Sequence, residues 1–195
     1  MLSGVLVTSD LVASSDFRAR VGAETPLALE VYCRHRVQVG DHEPAGADRG
    51  PDGEFVLTGV AVAVDPSCPL GGWVLEVDGI PFYVVESSAG RGAGVVPGVN
   101  DRLPGSDPEK PVPEQGARVR VRGSVSVADG YVAHDIGQAL GRDIERLWRV
   151  RRIARLPRHG RGEPQQVPEI SYPGGHHDYL LDLAAPPDAA QLGRF

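Results

Sequence analysis

Two β-rich runs, Trp73–Val77 and Ile80–Val85, flank the dipeptide Asp78-Gly79. A two-residue type I′ turn needs positive φ at both central positions, which Gly adopts freely and Asp tolerates, so this stretch predicts an antiparallel hairpin. A lone hairpin is marginal in water, which commits the surrounding chain to supplying further strands. Pro81 has no N–H to donate, so the second arm is expected to start at an edge or a bulge.

Period-two alternation supplies those strands. In Leu27–Val39 the residues Leu27, Leu29, Val31 and Cys33 share one face, with Glu30, Tyr32 and Arg34 on the other. Glu54–Asp65 is a second strand, in which Gly59 marks a bulge or barrel bend. In Arg118–Val127 the valines 119, 121, 125 and 127 alternate with Arg118, Arg120 and Arg122, with a break at Gly123. Gly40–Gly53 is a loop. Ala128-Asp129-Gly130 predicts a turn into a second hairpin arm, Tyr131–His134. Ile136, Leu140, Ile144 and Leu147 suit a helix capped by Asp135, against which Gly137 and Gly141 count, while Trp148 and Val150 suit a closing strand; the expectation is a short helix or turn to about Gly141 and a strand over Glu145–Leu156. Pro157–Pro168 is a polar linker, Tyr179–Ala184 a last short element, and Ala185–Phe195 a tail.

Composition agrees. Glycine (25) and proline (17) make up about a fifth of the 195 residues, against a usual share of about 12%, which predicts little helix and long loops. Ser87–Gln115 alone holds ten of them and no periodic pattern; a loop of that length is a lid, a binding loop or a disordered segment. The N-terminus has no basic n-region, Asp10 and Asp16 interrupt its apolar residues, and no window reaches the ~18 apolar residues of a membrane span. The expected location is the cytoplasm, with no membrane contact. Cys33 and Cys68 belong to no C-x-x-C pair and are expected to be reduced, buried thiols.

Residues 54–156 resemble an OB-fold. The glycine-bent strand Glu54–Asp65, the hairpin Trp73–Val85, a long connection, and the run Gly116-Ala117-Arg118-Val119-Arg120-Val121-Arg122-Gly123 carry the likeness, the last being similar to the G-x-x-V-x-V-x-G fourth strand of many such barrels. The chain from Tyr131 onward would close the barrel. Many OB barrels place a helix between the third and fourth strands, where the glycines and prolines here forbid one. The resemblance implies a face that binds oligonucleotides, oligosaccharides or proteins. The expected architecture is therefore mainly β: an N-terminal strand-rich extension (1–53), an OB-like barrel (54–156), and a linker with a C-terminal arm (157–195) packing on the same domain.

Catalytic signatures are missing: there is no G-x-S-x-G, H-E-x-x-H or G-x-x-x-x-G-K-[ST] run. Gly90-Arg91-Gly92-Ala93-Gly94 opens no helix and reads as a loop rather than a phosphate cradle. Imidazole and carboxylate suit a metal, which makes His176, His177 and Asp178 candidate ligands, together with Cys33 and His35 on one strand face. The simpler readings are a surface turn and a strand core, so no metal and no cofactor are expected.

Charge is distributed unevenly. Nineteen of the 20 basic residues are arginine, with Lys110 the exception, a bias of high-GC bacterial genomes. Residues 118–161 carry eleven arginines against four carboxylates, a local charge of +7 in a chain of net charge −6, leaving −13 on the remainder. Such asymmetry suggests an anionic partner, and the expected function is a non-catalytic module binding single-stranded nucleic acid or an acidic protein. The expected surface is Arg118, Arg120, Arg122, Arg146, Arg149, Arg151, Arg152 and Arg155, with Tyr131 and Trp148 as stacking rings. Three alternatives stand beside it: pairing of these arginines with the acidic half of the same chain, a small-ligand or metal-binding barrel (possibly an enzyme) with the 87–115 loop as lid, and a subunit that assembles with copies of itself.

Overall fold

A computed structural model describes residues 1–15, 17–65, 68, 70, 72–86, 111–157, 162–171 and 177–185. Most of the 87–115 segment and His176 lie outside the described residues. Along the chain run β1 (Leu2–Val7), α1 (Ser9–Ser14), β2 (Ala19–Arg20), β3 (Glu24–Leu27), β4 (Leu29–Gln38), β5 (Gly46–Arg49) and β6 (Phe55–Ala63). There follow β7 (Trp73–Val77), β8 (Ile80–Glu86), β9 (Arg118–Val127), α2 (Gly130–Leu140), β10 (Arg146–Arg155), β11 (Gln165–Gln166), β12 (Glu169–Ile170) and β13 (Tyr179–Ala184). The fold is mainly β, and no described helix is long and apolar enough to cross a membrane.

Five strands close on themselves. β8 pairs β7, β7 pairs β6, β6 pairs β9 and β9 pairs β4, all antiparallel; β4 then pairs β8 in parallel and completes the ring. The hairpin turns at Asp78 (φ 49°) and Gly79 (φ 77°), as their sequence requires. Pro81 precedes Phe82, where β4 pairing begins, so no ladder partner on that side needs its missing N–H. Inside the ring lie Leu29, Val31 and Cys33 of β4, Leu57 and Ala61 of β6, Trp73 and Leu75 of β7, Phe82 and Val84 of β8, and the inward valines of β9. Both cysteines are buried, and neither is in a disulfide.

The closing strand corrects the expected order. The strand that closes the ring is not the chain from Tyr131 onward but Leu29–Gln38, upstream of the other four and within the expected N-terminal extension. β10 lies outside the ring. Local alternation fixes which residues face inward, but says nothing about which distant strand a free edge will meet.

Two glycines make the ring possible. An added Cβ at Gly123 would sit 1.9 Å from the Tyr32 carbonyl oxygen, and one at Gly59 would sit 2.3 Å from that of Glu76. Gly59 is where β6 leaves its pairing with β5 for pairing with β7.

The flank is a sheet of β1, β13 and β10, widened by β3 and β11. β1 joins it to the barrel by running beside β9 at Leu6 and Ser126. Trp148, Val150, Ile153, Leu181 and Leu183 face the barrel and share its core.

Residues 130–140 also differ from expectation: Tyr131–His134, expected as a hairpin arm, and Asp135, expected as a helix cap, both lie inside α2. The cap is Asp129, whose carboxylate accepts from the Tyr131 N–H, and Gly141 (φ 64°) ends the helix. The side chain of an Asp in extended conformation satisfies one of the first turn's open N–H groups, and this outweighs the two glycines in the helix. Gly137 brings the helix close to the Arg142 carbonyl, 3.3 Å from where its Cβ would be. Ala133 and Ile136 of α2 pack with Val74 and Tyr83 on the outer face of the β7–β8 hairpin.

Candidate functional site

The predicted arginines fall into two groups. In the sheet order β1 and β13 stand between β9 and β10, so these strands do not form one adjoining stripe.

The β9 group is held by carboxylates. Arg120 pairs with Glu43 at 2.9 Å and donates to Thr58 Oγ1 at 3.2 Å. Arg122 bridges Asp52 and Glu54, and Arg34 of β4 reaches the same Glu54 at 2.8 Å. The Arg122 hydrogen bond holds the Asp52 carboxyl below its ordinary range. Next to them Arg36 pairs with Glu86 at 2.6 Å, lies over the Trp73 ring and donates to the Pro111 carbonyl. Arg118 is half-buried at the start of the strand. For Arg120 and Arg122 the internal-pairing alternative describes the geometry, and their acids come from the loop and strand ends at 43–54.

The β10 group is more open. Its burial pattern puts Trp148, Val150 and Ile153 inward and Leu147, Arg149, Arg151 and Arg152 outward. A register break opposite β13 between Val150 and Arg152 makes Arg151 an extra residue, so Arg151 and Arg152 both face outward instead of alternating. Arg149 meets Glu24 only at 3.5 Å and Arg152 meets Asp182 only at 3.6 Å, and both guanidinium arms stay about half exposed. Arg151 has no ion-pair or hydrogen-bond partner among the described residues. At the two ends of the strand Arg146 donates to the carbonyls of Asp143 and Glu145, and Arg155 to the Gln165 side chain, neither of which cancels charge. The sequence did not point to Arg49, which extends this face across β1: it donates to the Ser3 and Gly53 carbonyls and occupies the space left by Gly4.

The aromatic expectations divide. Tyr131 is 84% exposed, but it stands in the first turn of α2. Trp148 is 2% exposed and belongs to the core, so a base has no access to its ring. Strand alternation from Arg149 would have placed it there, because neighbours of an outward arginine point inward.

The metal candidates separate as well. A register break between Cys33 and His35 sends Cys33 into the core and His35 outward, so the shared face expected of them is lost. Asp178 accepts the Ser9 N–H at 2.8 Å, and the His177 ring lies 3.3 Å from the Leu156 carbonyl, so both serve local structure. No group of three metal-ligating side chains occurs among the described residues.

A buried carboxylate that the sequence did not single out is Glu30, on the outer side of β4 beneath the start of α2. Ser126 Oγ donates to it at 3.0 Å. Burial raises its pKa, the nearby Asp129 charge adds to this, and hydrogen bonds from Ser126 and Tyr32 partly oppose it. Burial likewise pushes the Tyr83 hydroxyl up to about 12. A carboxyl whose folded pKa lies above its unfolded value near 4.5 contributes stability below that value and loses it as pH rises through the folded pKa. Glu30→Gln keeps the Ser126 partner and removes the charge. Its stability relative to wild type is therefore expected to rise between pH 5 and pH 8, read from urea midpoints; a difference flat with pH would mean that Glu30 ionises as it does in water.

Comparison with protein-family models, with curated proteins and with solved structures gave no match.

Proposed function

We propose that the protein is a non-catalytic binding module on an OB-like barrel, and that it engages an acidic protein surface through the outer face of β10. One observation carries this reading: Arg149, Arg151 and Arg152 all face outward, a bulge bringing Arg152 beside Arg151, with one long ion pair each at Arg149 and Arg152 and no partner for Arg151 among the described residues. Cations already held by short ion pairs, like Arg120 and Arg122, must lose those partners before binding another anion. The β10 arginines have little to lose. Leu147, 45% exposed on the same face, adds an apolar contact that a folded partner would cover.

The OB-like assignment rests on the five-strand ring. The face on which such barrels bind oligonucleotides lies on the second and third strands, which correspond here to β7 and β8 and are covered by α2. Single-stranded nucleic acid also needs exposed rings on which bases stack, and Trp148 is buried. For these reasons we favour an acidic protein surface over nucleic acid.

Fluorescence anisotropy with a labelled decaglutamate peptide and a labelled oligo-dT of equal charge tests this choice. The peptide is expected to bind at 50 mM salt and to weaken steeply by 200 mM, because exposed charges are screened over about 10 Å. Tighter binding of oligo-dT at matched salt would favour the nucleic-acid reading. No binding of either probe at 50 mM would remove the module from consideration and leave these arginines as solvated surface.

A further inference from the structure

We propose that Asp78 is a site of spontaneous covalent modification, where the chain converts to isoaspartate through a cyclic imide. The site is the tip of the β7–β8 hairpin and does not rest on the reading of the β10 face. Asp followed by Gly is prone to this chemistry because glycine has no Cβ to shield its nitrogen. The Gly nitrogen gives up its proton and bonds to the Asp Cγ, one carboxyl oxygen leaves as water, and a five-membered imide forms. Water then opens either imide carbonyl. Opening at Cγ restores Asp. Opening at the backbone carbonyl leaves that carbon as a free carboxylate and routes the chain through Cβ.

The sequence holds three such pairs, Asp52-Gly53, Asp78-Gly79 and Asp129-Gly130, and the fold restrains two of them. At Asp52-Gly53 both reacting groups are engaged. The Asp52 carboxylate pairs with Arg122 and accepts the Glu54 N–H at 3.3 Å, while the Gly53 N–H donates to the Gly50 carbonyl at 3.0 Å. At Asp129-Gly130 the two carboxylate oxygens are held separately, one by the Tyr131 N–H at 2.9 Å and the other by the Ser15 hydroxyl at 3.0 Å. Attack at Cγ requires the carboxyl to turn out of these bonds. Asp78-Gly79 has neither restraint. Both residues are exposed, and the Asp78 carboxylate has no hydrogen-bond or ion-pair partner among the described residues. The Gly79 N–H, between the paired Val77 and Ile80, has no acceptor there either, and nothing lies within 4 Å of where a Gly79 Cβ would stand. Isoaspartate adds one backbone atom to a two-residue turn that keeps Val77 opposite Ile80, so the converted protein is expected to melt lower.

The test maps all three pairs after incubation at neutral pH, folded and in guanidinium chloride, until each has converted measurably in the unfolded chain. Asp-N protease cuts before Asp and not before isoaspartate, so the uncut fraction at each pair reports conversion. Unfolded, the three are expected to convert at comparable rates. Folded, Asp52 and Asp129 are expected to slow by at least about tenfold, the share of one hydrogen bond to a charged group, and to fall behind Asp78. Gly79→Ala, which shields the attacking nitrogen, is expected to slow conversion at residue 78 and leave the other two pairs unchanged. A folded protein in which Asp78 stays unconverted, or in which Asp52 or Asp129 keeps pace with it, would overturn the proposal. Undiminished conversion in Gly79→Ala would overturn cyclisation through the residue 79 nitrogen. The comparison of the three pairs uses wild-type protein and holds even if Gly79→Ala does not fold.

Discussion

Gly123→Ala is expected to destabilise the protein by about 3 kcal/mol, the upper end of what overpacking costs. The reason is backbone against backbone: the new Cβ would lie 1.9 Å from the Tyr32 carbonyl oxygen and 2.8 Å from its carbon. A clash with the tip of a flexible side chain can be relieved by rotation, as at Gly4 against the Arg49 guanidinium, but here β4 and β9 themselves must part. Gly123 pairs with Cys33 at the β4 bulge and with Phe55 of β6, so the displacement would be felt on both sides of β9. For a chain of this length that energy lowers the melting temperature by roughly 6–12 °C. Gly79→Ala is the control: it has φ 77° but nothing within 4 Å of its Cβ, so it should cost only the backbone strain, about 1 kcal/mol. Melting curves for the two variants separate close approach from strain, and a Gly123→Ala protein that melts with the wild type would mean that β4 does not close the barrel.

That glycine also shows what the sequence conveys. Gly123 is visible as a break in the valine alternation of β9, and the strand itself runs Arg118–Val127 as its pattern predicts. The hairpin at Asp78-Gly79 is equally legible, and so are the bounds, though not the type, of the last element, Tyr179–Ala184, since each is set by residues next to one another in the chain. The identity of β4 as the closing strand is not, because the parallel pairing of Leu29 with Phe82 joins segments more than fifty positions apart. Bulges are hidden for a related reason. A single extra residue, Arg34 in β4 or Arg151 in β10, reverses which face the following residues occupy, and nothing local announces it. That reversal separated His35 from Cys33 and brought Arg152 alongside Arg151. The arginine count pointed to a charged surface, but which arginines are tied down depended on Glu43, Asp52 and Glu54, acids that the fold brings in from a different part of the chain.

The second large effect is expected on binding. Replacing Arg149, Arg151 and Arg152 together with alanine removes three outward charges, and affinity for the decaglutamate probe at 50 mM salt should fall by at least about tenfold, equivalent to about 1.4 kcal/mol spread over three cations. Stability should hardly change, because the two ion pairs lost are long and exposed, and such pairs are worth between about 0 and 1 kcal/mol each. Replacing Arg120 and Arg122 is the matching control: it takes out two charges of the same kind that already face their own carboxylates.

The most direct measurement is therefore a side-by-side titration of decaglutamate into wild type, the β10 triple variant and the Arg120→Ala/Arg122→Ala variant at 50 and 200 mM salt, with a melting curve for each. The account predicts that the triple variant alone loses at least about tenfold in affinity and most of its salt dependence, while melting within a few degrees of wild type. Binding that survives in the triple variant and disappears in the β9 variant would contradict it, and would place the anion-binding surface on the barrel instead.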